Sequence, residues 1–164
     1  MARYGAWQND NLIRAASQLS HAQRTAEAGL FFGSAFNTLN HLLWADQLWH
    51  ARLADRQAPA VTQIADSCAL HDSWSAYVED RRQTDREIER WAEEVTSQGL
   101  EDQLVWESQS QGKTMRVTRW ITVVQTFNHG THHRGQVHAV LTRHGISTAD
   151  TDVPFLPGLA ELAL

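Results

Sequence analysis

Four stretches of this chain place apolar residues at helical intervals. Trp7, Leu12, Ala15, Ala16 and Leu19 form a loose stripe that predicts a first helix over about residues 4–20. A polar connection follows through Gly33, and Ser34 is suited to cap the next helix. From there to about Leu53 the pattern is strongly apolar, through Phe36, Leu39, Leu42, Leu43, Leu48 and Trp49. Gln57, Ala58 and Pro59 end that element. Trp74, Tyr77, Ile88, Trp91 and Val95 are spaced for one side of a third helix, predicted from about Leu70 to Thr96. Its other positions mix both charges, as in Glu79-Asp80-Arg81-Arg82 and Asp85-Arg86-Glu87, which reads as a solvated face. A fourth helix is expected from near Thr118 to His144, with Gly145 as its C-terminal cap.

Between the third and fourth helices the period changes. Leu104 to Ser108 and Thr114 to Thr118 flank Gln109 to Lys113, with Gly112 as a turn residue, which reads as a short hairpin or an extended crossover. Near the end, Val153-Pro154-Phe155-Leu156-Pro157 excludes regular helix and is expected to pack over the other elements. The fold class is therefore all-α: a four-helix bundle, with an optional hairpin before the last helix, in one domain over residues 1–164. Periodicity alone leaves the order of connection open.

Composition narrows the function. Hydrophobic residues make up 42% of the chain, enough for a core, and no apolar run approaches the roughly 20 residues of a membrane span. The first ten residues lack the apolar centre of a secretory signal, so a cytoplasmic protein is expected. The net charge of -5, with a single lysine, argues against nucleic acid as partner. Cys68 is the only cysteine, which excludes an internal disulfide and a thiolate cluster. It reads as a small buried residue near the third helix. Trp44, Trp49, Trp74, Trp91 and Trp120 are expected to fill the core or a dimer face, one or two of them lining a pocket.

The candidate chemistry lies in Phe127-Asn128-His129-Gly130-Thr131-His132-His133-Arg134-Gly135-Gln136-Val137-His138, which holds four of the nine histidines. His129 and His133, four apart, project from one helical face. On a helical wheel they lie about 40° apart, on the side of Val123, Phe127, Val137 and Leu141. His132 falls off that side and His138 is displaced the other way, which places His132 at a surface, beside the ligands or at a subunit contact. A third ligand must come from another helix. His41, within the apolar run from Phe36 to Leu48, is the best candidate, because an unsatisfied buried polar group costs about 1–3 kcal/mol. Three imidazoles leave coordination positions open, the pattern of a catalytic metal site.

The residues Asn40-His41-Leu42-Leu43-Trp44-Ala45-Asp46 and Phe127 to His138 resemble the DinB-like (DinB/YfiT) superfamily. The opening Ala2-Arg3-Tyr4-Gly5-Ala6-Trp7-Gln8-Asn9 and the late Val153 to Pro157 resemble it too, so the likeness covers nearly the whole chain. It implies a left-handed, up-down-down-up four-helix bundle. It also implies a divalent metal, commonly nickel or zinc, on His41, His129 and His133, with manganese and iron as alternatives. Homodimers are common among members. Characterised members use thiols such as mycothiol, bacillithiol or glutathione, as S-transferases or a maleylpyruvate isomerase.

On that basis a metal-dependent transferase using a low-molecular-weight thiol is the first expectation, with a small-molecule substrate. Arg134 can hold a substrate carboxylate in two hydrogen bonds, or form an ion pair on the helix surface or at a dimer interface. Asn40, Asp46 and Gln136 are candidates to orient the ligand histidines. The alternatives are a metal-dependent hydrolase, weakened by the lack of an obvious carboxylate base, and a non-enzymatic metal-binding stress-response protein.

Overall fold

The computed structural model of the chain describes residues 1–159. Four long helices dominate: α1 (Ala2–Ala16), α3 (Ala35–Leu53), α4 (Trp74–Glu94) and α6 (Arg119–Arg143). Two single-turn helices, α2 (His21–Thr25) and α5 (Ser97–Glu101), punctuate the connections. A 3-10 segment at Ile64–Ala69 lies in the link between α3 and α4. The two strands are β1 (Gln103–Ser108) and β2 (Lys113–Thr118). They pair antiparallel with Trp106 opposite Met115, so the 104–118 region is a hairpin.

The predicted caps form for the predicted reasons. Ser34 accepts a hydrogen bond from the Asn37 amide at the start of α3, a contact worth about 1 kcal/mol. Gly145, at φ +72°, ends α6. Its amide bonds back to the Thr142 carbonyl and the Ile146 amide to the Leu141 carbonyl, a pairing that needs a left-handed residue. Two local features were not read from the sequence. Ser20 and Gln23 satisfy each other's amides around α2. The buried Arg24 donates to the carbonyls of Ala16 and Leu19, closing the end of α1, and lies over the Trp74 ring at 4.6 Å.

Cross-helix contacts give the directions. Asn9 of α1 meets Asp85 and Ser17 meets Trp74, so α1 and α4 are antiparallel. Phe36 packs on Tyr77 and Gln47 bonds to Thr84, so α3 and α4 run the same way. His41 meets His129 while Arg119 donates to the Leu53 carbonyl, so α3 and α6 are antiparallel. The four helices thus close a ring in the order α1, α4, α3, α6, with directions up, down, down, up in chain order. The core at its centre includes Leu12, Ile13, Ala16, Phe36, Leu39, Leu43, Tyr77, Val137, Val140 and Leu141. Each large apolar side chain there contributes about 1.5–3 kcal/mol by leaving water.

Two expectations from periodicity are corrected. Helix α4 starts at Trp74 instead of Leu70, because Ser73 caps it and accepts from the Ala76 amide. The mixed-charge face of α4 is not solvated throughout. Arg81 is 1% exposed and donates to Asp46 and Asp85, at 2.7 Å each. Burial opposes its charge, but Asp85 and Asp46 offset that and hold the guanidinium above its ordinary value. Of the tryptophans expected in the core or on a dimer face, Trp44 is 4% exposed, and Trp120, in the first turn of α6, is 46% exposed.

Candidate metal centre

The antiparallel pair α3 and α6 brings His41 to face His129 and His133. One nitrogen from each ring lies within 4.8 Å of the other two. His129 Nε2 is 3.3 Å from His41 Nε2 and 3.0 Å from His133 Nε2. His41 and His133 are buried and His129 is half-buried.

The outer nitrogens fix which way two of the rings present their lone pairs. The Ser67 hydroxyl donates to the Ile64 carbonyl, so its oxygen accepts from His41 Nδ1–H at 2.8 Å. The Gln136 carbonyl oxygen accepts from His133 Nδ1–H, also at 2.8 Å. Both rings therefore turn an Nε2 lone pair inward, toward His129 Nε2. His129 Nδ1 is buried without a partner. A proton on His129 Nε2 can serve only one of its two neighbours. A bound cation satisfies all three at once, so the donor set fits a divalent metal with borderline ligand preference.

Electrostatics favour the neutral rings that a metal requires. Burial, then the neighbouring His129 and His133, push His41 down to about 3. Burial, then His133 and His132, push His129 down to about 4. His133 is also lowered, chiefly by burial, against the opposing bond from Gln136.

The triad forms part of the wall of a cleft of about 1130 Å³ between α3, α6, the 54–69 link and the hairpin. Its walls are largely aromatic and apolar. Phe32 stacks on His41 with ring centroids 3.9 Å apart. Trp44 also neighbours His41, with ring centroids 5.7 Å apart, and donates to the Val61 carbonyl, holding the link in place. Trp49 and Trp106 meet edge to face at 5.4 Å and tie the hairpin to α3.

The remaining candidates separate. Gln136 touches His133, and its amide nitrogen also reaches His132 at 3.2 Å. His132 is exposed and lines the cleft. Asn40 bonds in both directions to the His71 backbone, pinning the link that carries Ser67. Asp46, a candidate to orient a histidine, accepts from Arg81, because it lies on the side of α3 that faces α4. Arg134 does not reach the cleft. One position past His133, it turns toward α1 and lines a separate small cavity with Tyr4, Gln8 and Asn11. Gly130 makes room for its guanidinium, since a Cβ there would stand 2.8 Å from Nη1. Cys68, beside Ser67, is part-buried, with its thiol pushed up by burial, and joins no metal-binding group among the described residues.

Ser67 and Phe32 were missed in the sequence. Both lie in connections without periodicity, and neither residue type carries a signal for a role beside an imidazole.

A four-helix bundle with three histidines converging from its second and fourth long helices defines the class. The DinB family pattern matches residues 1–161, and the chain belongs to that family. No curated protein and no solved structure matches it.

Proposed function

We propose that the chain holds a divalent transition metal on His41, His129 and His133 and uses it to transfer a low-molecular-weight thiol to a small molecule bound in the adjoining cleft. Two inward lone pairs meeting at His129 Nε2 carry this reading. Nickel and zinc suit an all-imidazole set best, with manganese and iron behind them. Such a metal, when bound, lowers the pKa of a thiol on it and so supplies a nucleophile at neutral pH. The chain's own residues do the rest. Ser67 and Gln136 orient two ligands. Phe32 and Trp44 exclude water from the His41 side. The cleft, at about 1130 Å³, admits a thiol and its acceptor together.

Among the described residues no carboxylate joins the three histidines, which favours an external thiol over a water activated by a protein base. A homodimer in the cytoplasm is part of the same proposal. No helix among the described residues is long and apolar enough to cross a membrane.

The test is metal content by mass spectrometry on untagged protein purified without metal columns, wild type beside His41→Ala and His133→Ala. Near-stoichiometric metal in the wild type, lost in both variants, is expected, and thiol-transfer screening then follows with that metal. Wild-type protein that takes up no metal on reconstitution would overturn the proposal.

A further inference from the structure

Among the described residues only one arginine lines the metal cleft. Arg52 lies on α3, eleven residues beyond His41. Its guanidinium carbon stands 4.7 Å from the centre of the Trp49 ring and 5.4 Å from that of Trp106. Those two indoles are themselves in contact, so the cation is seated against an aromatic corner where α3 meets the hairpin.

No carboxylate among the described residues neutralises it. Arg14, Arg56, Arg81, Arg82 and Arg119 each pair with a carboxylate, and Arg52 does not, among the described residues. The single acidic residue on the cleft wall among the described residues, Glu107, accepts from the Thr114 hydroxyl at 2.6 Å. Burial lowers the Arg52 guanidinium below its ordinary value, as expected of a charge that has lost water and gained no counter-charge. The two indoles stand at 82° to each other and form a corner against the guanidinium, and no protein acceptor among the described residues takes its N–H groups, which leaves an N–H edge for a ligand. That edge matches a carboxylate in two parallel hydrogen bonds. The neighbouring wall, with Leu48, Trp49, Trp106 and Met115, is apolar. A ligand for this corner therefore has a negative end and an apolar body.

We propose that Arg52 is an anion subsite of the metal cleft and that the cleft's ligand is an amphipathic carboxylate, its acid end on Arg52 and its reacting end toward the histidines. This rests on the reading of the cleft as the place where substrate binds. Eleven residues at 1.5 Å each separate the two positions by about 16 Å along α3, so a ligand spanning both is on the order of 10–15 Å long after side-chain reach. An acyl or aryl-alkyl acid has that length, and so does a peptide-like thiol with a free carboxylate.

The probe pair is 4-phenylbutanoate and its neutral amide, 4-phenylbutanamide. Both are titrated into metal-free and zinc-loaded protein and followed by tryptophan fluorescence and calorimetry, with zinc content measured on the same samples. The acid is expected to bind wild type at least about tenfold more tightly than the amide in both metal states. Arg52→Gln should abolish that preference while leaving amide binding unchanged, and Arg52→Lys should keep part of it. Matching denaturation midpoints for wild type and Arg52→Gln verify the fold.

Equal affinity for acid and amide, no saturable binding of either, or a preference that survives Arg52→Gln would overturn the subsite. A preference that needs zinc and ignores Arg52 would assign the carboxylate to the metal instead, and also overturns it. A preference that depends on Arg52 in protein unable to hold zinc would leave the subsite standing and sink the metal proposal alone.

Discussion

Ser67 Oγ lies 2.8 Å from His41 Nδ1, so a residue in the irregular link between α3 and α4 decides which nitrogen of His41 faces the other two histidines. The imidazole comes from one element and its tautomer from another. Ser67→Ala should leave all three histidines in place yet weaken metal affinity about 10–100-fold, as loss of such an orienting partner does. Competition against a chelator of known affinity measures it. Unchanged affinity would mean that the α3 backbone alone orients His41.

Asn40 tests the same link from its other end. Its amide donates to the His71 carbonyl and accepts from the His71 amide. Asn40→Ala removes both bonds and leaves two backbone groups unpaired, at a cost of about 1–3 kcal/mol. Amide hydrogen exchange should accelerate over residues 64–71 and leave α6 unchanged. A uniform acceleration across the chain would show instead that the link unfolds only with the whole bundle.

Asp46 and Arg81 form the buried ion pair that joins α3 to α4. Removing Asp46 leaves the buried Arg81 with Asp85 as its remaining carboxylate. Asp46→Ala should therefore cost about 1–3 kcal/mol in chemical denaturation, more than loss of a surface charge. Metal stoichiometry in the surviving folded protein should be unchanged, because Asp46 bonds to Arg81 and not to a histidine. Lost metal with stability intact would return Asp46 to the metal centre.

The lowered histidines set an acid limit on the metal-free protein. His41 and His129 fall from 6.5 to about 3 and about 4 in the folded chain. Below 6.5 the unfolded chain takes up protons that the folded chain refuses, so these groups make stability fall as pH drops, down to their folded values. Above 6.5 they add no pH dependence. Chelator-treated protein should lose thermal stability steadily as the pH falls from about 6.5 to 5, and His129→Gln should flatten part of that slope. A Tm constant over this range would contradict the burial of neutral imidazoles.

The sequence by itself determined the helices and the motif. Ser34 and Gly145 could be read because a cap is a local event between neighbours in the chain. His129 and His133 could be paired because a four-residue spacing on one helix fixes their relative direction. His41 was legible as an imidazole in an apolar run with nothing nearby to satisfy it. Only the tertiary structure decided the rest. Arg81 and Arg82 are adjacent and chemically alike, yet one is buried against Asp46 and the other reaches Asp10 at the surface. Arg134 follows His133 directly but turns about 100° further round the helix, toward α1 and away from the cleft. Ser67, Phe32 and Arg52 acquire their places when the two connections and the hairpin close over α3. Their partners are distant in sequence and carry no period, so packing alone brings them together.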